Sequence, residues 1–187
     1  EEPVPQRFES DDAPVIRPAA MPAPTAQTRP AELDGVMPAV ERALREIAAA
    51  DSKFNLAQFL EGARGAYRMT LEAFWKSDRE TLRELCDDDV YAGFIAAIDA
   101  REAAGETMDN TLIRVEEVRI HSASLDGKMA RIAPLFVADI AAVTRDKDGT
   151  VIAGSLDDAV ESRDVWTFSR NINARDPNWL LDETDEG

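Results

Sequence analysis

Between Asn55 and Lys76, apolar positions recur at three- and four-residue steps: Phe59, Ala63, Ala66, Tyr67, Thr70, Leu71 and Phe74. That spacing puts them on one face of an α-helix, with Glu61, Arg64, Arg68, Glu72 and Lys76 largely on the other. Asn55 is placed to cap the start by accepting a first-turn N–H. Gly62, Ala63, Gly65 and Ala66 leave the middle of the helix almost without side chains. A glycine inside a helix costs about 1 kcal/mol relative to alanine, so the pattern predicts a close packing partner there.

A second amphipathic helix is predicted over Asp34–Ala50, with Asp34 as cap and Pro38 in the first turn. Val36, Val40, Leu44 and Ile47 form its narrow apolar stripe. Three uses fit such a stripe: packing on its own domain, pairing with a partner or a second copy, or lying on a membrane. The mixed charge of Glu41, Arg42, Arg45 and Glu46 and the lack of aromatic residues argue against the last.

Ser77-Asp78-Arg79-Glu80 reads as a capping box with Ser77 as cap, opening a short helix from Asp78 to Cys86. Asp87, Asp88 and Asp89 then read as the cap and dipole-compensating first turn of another helix. They lack the glycine and distal glutamate of a calcium loop, so no metal is expected there. This helix runs from Val90 to Ala104, buries Tyr91, Phe94, Ile95 and Ile98, and stops at Gly105. Strand patterns follow. Leu112–Leu125 and Met129–Thr144 flank an Asp126-Gly127 turn. Pro134 inside the second run implies a bulge or an edge. Val151–Ala153, Val160–Asn171 and Trp179–Asp182 complete an antiparallel meander. Helices first and strands afterwards make an α+β layer arrangement.

Composition narrows the function. Seven of the ten prolines fall in Glu1–Glu32, which reads as an extended Pro/Ala-rich linker over residues 1–33. The 34–50 helix is then an arm, and 51–187 the folded domain. With 37 acidic against 21 basic residues the net charge is −16, which excludes nucleic acid as the main partner. The lone Cys86 forms no intramolecular disulfide and reads as a buried small side chain. No stretch of about twenty apolar residues occurs to span a bilayer as a helix.

Two groups of residues together resemble a known family. The first is Phe59-Leu-Glu-Gly-Ala63 with Phe74, Asp78, Leu82, Leu85, Val90-Tyr91, Phe94, Arg101 and Gly105; the second is Asp164-Val-Trp-Thr-Phe168, Arg170 and Asp176-Pro-Asn-Trp-Leu180. They resemble the Tim44-like domain over roughly Asp51–Leu181. The chain departs from the family at Asp164, where a glutamate is usual, at Ser77, where a glycine is usual, and at Ala174-Arg175, where a serine precedes the Asp-Pro-Asn-Trp motif. The resemblance implies helices packed on a curved antiparallel sheet, an NTF2- or cystatin-like cone around an apolar cleft. Tyr67, Phe74, Tyr91, Phe94, Phe136, Trp166 and Phe168 would line that cleft, and Val36, Val40, Leu44 and Ile47 would offer a second surface.

The resemblance also implies a non-enzymatic scaffold at the inner-membrane periphery, on the cytoplasmic face, tethered by an N-terminal anchor upstream of this chain. Its expected partners are other inner-membrane proteins in translocation or membrane-protein assembly, a phospholipid or fatty-acyl chain, and a second copy through the 34–50 helix. No cofactor is implied. The competing reading is an NTF2-like binding protein or enzyme built on a desolvated carboxylate. Asp164, of the same strand parity as Trp166, is the best candidate for it, with Asp139 and the single histidine, His121, behind it. An ion pair with Arg163, Arg170 or Arg101 is the structural alternative for Asp164. No nucleophile elbow, P-loop, dinucleotide glycine motif or zinc spacing is present. Asp176-Pro177-Asn178-Trp179 reads as a turn anchored by its tryptophan.

Overall fold

The computed structural model describes residues 37–187. The linker over 1–33, the cap at Asp34 and the apolar position at Val36 lie outside the described residues. Four helices precede five strands: α1 Pro38–Ala50, α2 Leu56–Lys76, α3 Arg79–Leu85, α4 Asp88–Ala103, β1 Thr107–Met108, β2 Thr111–Asp126, β3 Met129–Arg145, β4 Val151–Asn171 and β5 Leu180–Glu186. The strands form one antiparallel sheet, so the fold is α+β as the order of patterns implied. β3 is central: β1 and β2 share one of its edges and β4 takes the other, with β5 outside β4.

Pro134, in this central strand, lies opposite a bulge in β2. It pairs with Ile120, the next pair is Ser122 with Ala133, and His121 is the extra residue between them. A proline cannot donate to the ladder, so the irregularity absorbs the missing bond. β4 is one strand of 21 residues, whereas the sequence pattern suggested two pieces. Its halves are joined through a register shift opposite Ile140 and Ala142. Gly154, at φ +79°, lies there with its Cα against the Ala142 carbonyl, where a side chain would collide.

The helices lie as their caps dictate. The Asn55 side chain accepts the Gln58 N–H at 2.9 Å. Asp78 accepts from Thr81, and Asp87 accepts from Val90. Ser77 is therefore not the cap expected of it. It closes α2 instead, in the left-handed region at φ 60° and ψ 33°. A residue after a helix commonly takes this conformation, which glycine adopts at the least cost. Here the Ser77 hydroxyl compensates by accepting from Arg101 at 2.8 Å, while the same guanidinium donates to the Phe74 carbonyl at 2.7 Å. Arg101 thus staples α4 to the end of α2.

The Val40, Leu44 and Ile47 stripe of α1 is buried in the main core, with α1 packed on β2 of its own chain. Cys86 is buried where the end of α3 bridges to Leu181 of β5. Burial and the neighbouring Asp87 push its thiol up to about 12. An exposed thiol ionises near 8.5, so alkylation of the native protein at pH 8.5 is expected to be roughly a hundredfold or more slower than in urea. Equal rates in the two states would show that Cys86 is accessible.

Candidate partner-binding groove

The cone expected to hold a cleft is filled with rings. Tyr67 and Phe136 have no exposed surface and stack at 4.3 Å between centroids, 10° from parallel. Trp166 packs on Tyr67 at 4.6 Å, and Phe168 meets Phe59 edge-on at 6.2 Å. Large aromatic side chains projecting from one helix and two adjacent strands fill the space between the layers, so Tyr67 and Phe136 present nothing to a ligand. Phe74 and Phe94 pack together at 5.3 Å where α2 faces α4, and Arg83 lies 4.5 Å over the ring of Tyr91. Phe94 and Trp166 border a shallow open pocket of ≈ 310 Å³ with Asp164, Thr184, Asp185 and Glu186.

Asp164 does face the interior, and its partners differ from those expected. The Tyr67 hydroxyl donates to it at 2.7 Å and the Ser162 hydroxyl at 2.9 Å. Burial, with the Asp164 carboxylate behind it, raises the Tyr67 hydroxyl above the ordinary phenol range. The three arginines are engaged elsewhere: Arg163 with Glu161, Arg170 with Asp51 and Arg101 with the end of α2. Asp139 pairs with Arg114 at 2.8 Å, and His121 is exposed on the bulge of β2. Asp139 and His121 are thus not brought to Asp164.

The larger hollow lies elsewhere, along the opposite flank of α2. A groove of ≈ 620 Å³ runs between α2, the end of α3 and the β4–β5 loop. Gly62, Gly65, Ala66 and Met69 form its floor, and Phe54, Phe59, Leu85 and Trp179 its apolar walls. Trp179 stands 4.9 Å from Phe59 and 6.2 Å from Phe54, so the Pro-Asn-Trp turn supplies one wall. Charges sit at the margins. Lys53 and Arg175 lie near the start of α2, and Glu84 lies at the end of α3. A buried ion pair, Arg170 to Asp51 at 2.6 Å, is part of the groove's lining. Arg170 also donates to the carbonyls of Asp176 and Ala174, both at 3.1 Å. That guanidinium therefore holds the β4–β5 loop against the α1–α2 corner.

Of the eleven residues named from the sequence, Val36 lies outside the described residues, and of the other ten Phe168 alone borders this groove. Two signals could have found it, the paired glycines of α2 and the Asp-Pro-Asn-Trp turn, but the first read as a packing contact and the second as a turn. The close neighbour predicted for the glycines is missing, since a Cβ built on Gly62 or Gly65 meets no atom within 4 Å among the described residues.

A family model described as the Tim44-like domain matches residues 40–186. The chain belongs to the Tim44-like domain family. The chain is 26% identical over 113 residues to the mitochondrial import inner membrane translocase subunit TIM44-1 of Arabidopsis thaliana, a match covering 60% of this chain and 24% of that protein. The chain thus spans about a quarter of that relative's length. Among solved structures, the intermembrane space region of the chloroplast protein ARC6 is similar at 13% identity with a TM-score of 0.48, covering 68% of this chain and 95% of that one. No helix among the described residues of this Tim44-like protein is long and apolar enough to cross a membrane.

Proposed function

We propose that this Tim44-like domain is a non-enzymatic interaction module at the periphery of the inner membrane. In this reading it serves protein translocation or membrane-protein assembly, on the cytoplasmic face and under an N-terminal tether. It holds an apolar segment of a partner protein in the groove beside α2. The observation that carries this reading is the groove itself: ≈ 620 Å³ of space with apolar walls, over a helix face made of glycine and alanine. Pockets that recognise a ligand are concave and mostly apolar, with a few polar groups at defined places, and this one has that character. Asp164 is held by two hydroxyls in what reads as a structural role, and the Cys86 thiol is buried and does not line the groove.

An amine-reactive crosslinker applied to membranes containing the intact protein tests the reading. Lys53 borders the groove, whereas Lys128 and Lys147 are exposed outside it. Links from Lys53 to a membrane-associated partner are expected to exceed those from Lys128 and Lys147. An even distribution over the three lysines would contradict the groove as the binding surface.

A further inference from the structure

We propose that the occupant of the groove is an α-helix of a partner protein, seated antiparallel to α2 with an acidic C-terminal end. The proposal rests on the groove reading above and adds the partner's shape, direction and charge. Gly62, Gly65, Ala66 and Met69 fall at i, i+3, i+4 and i+7, so they form one straight row on α2. Two glycines in that row weaken an isolated helix, and nothing described touches the space where their side chains would be. A stretch of bare backbone flanked by aromatic walls allows a second helix to approach closely, because the side chains at the contact set the distance between helix axes.

The charges orient that helix. Lys53 and Arg175, at the N-terminal end of α2, have no ion-pair partner among the described residues, in a chain of net charge −16. Glu84 is likewise without an ion pair among the described residues. It sits at the end of α3, which runs back from the C-terminal end of α2. A helix carries partial negative charge at its C-terminus and partial positive charge at its N-terminus. The C-terminal end therefore belongs beside Lys53 and Arg175, and the N-terminal end toward Glu84. An acyl chain has charge at one end only and leaves Glu84 facing hydrocarbon.

Photocrosslinking residues placed singly at Gln58 and Met69 of the full chain, in membranes, read the occupant directly. These positions are eleven residues apart on α2, about 16 Å. A helical partner is expected to give linked residues about eleven apart, with the Met69 link on the N-terminal side. Gly65→Leu is expected to reduce both links at least tenfold without lowering Tm, while Gly93→Leu, on exposed α4 backbone outside the groove, leaves them unchanged. Linked residues about five apart would indicate an extended strand, and adducts to lipid an acyl chain. Either result overturns the helix while leaving the groove as a binding site. Links that survive Gly65→Leu, or no links at either position, overturn both readings.

Discussion

Replacing Tyr67 by alanine is expected to destabilise the domain by about 4 kcal/mol, as for other fully buried aromatic side chains. Tyr67 has no exposed surface, and its ring lies against Phe136 and Trp166 at the centre of the helix–sheet interface. The variant also leaves Asp164 with Ser162 as its hydroxyl donor. Tyr67→Phe separates the two contributions. It keeps the ring and removes the hydroxyl, and is expected to cost about 1–2 kcal/mol. Urea unfolding of the two variants measures the difference. If Tyr67→Ala lay within about 1 kcal/mol of the parent, the ring-filled interior would be wrong, because a cavity of that size is not neutral.

Removing one partner of the Arg170–Asp51 pair is expected to cost about 3–5 kcal/mol, since it strands a buried charge. The side chains are 7% and 10% exposed, so solvent screens little of the effect. Arg170→Met should do more than lower stability. The Ala174 and Asp176 carbonyls lose their donor, and the wall that carries Trp179 is freed from the α1–α2 corner. Faster amide exchange over residues 172–178, beyond any change in β3, is the expected signature. Arg170→Lys should restore little, because one ammonium cannot reproduce a planar fork with three acceptors in different directions. A double-mutant cycle with Asp51→Asn gives the coupling directly, and additive losses would mean that the pair is not an interacting unit.

The layers of this fold were legible in the sequence because each rested on local periodicity. α2, the α4 face with Phe94 and Ile98, and the β2–β3 hairpin at Asp126-Gly127 follow from spacing and turn chemistry alone. Ser77 is an exception. Ser77-Asp78-Arg79-Glu80 fits a capping box, yet the true cap is Asp78, one position later; only the backbone shows that Ser77 ends α2. The continuity of β4 through Gly154 depended on a long-range register with β3. The site was less legible for a related reason. Periodicity marks which side chains are apolar, and it drew attention to Tyr67, Phe136 and Trp166. Whether such rings surround a space or fill it depends on how the layers meet, which local pattern does not encode. The groove is built from residues far apart in the chain, from Asp51 to Trp179. Its local traces were two glycines where a helix would do better with alanine, and a tryptophan after a turn.

Those glycines hold the central claim, that this flank of α2 is shaped for a partner and not for the stability of its own chain. The direct measurement compares the parent with Gly62→Ala/Gly65→Ala, both for unfolding free energy and for partner retained in the membrane fraction. Added methyl groups meet no described atom within 4 Å. The expected result is a gain of about 1–2 kcal/mol in stability from helix propensity, together with a large loss of retained partner. A double variant that is less stable than the parent, or that retains its partner in full, would contradict the claim.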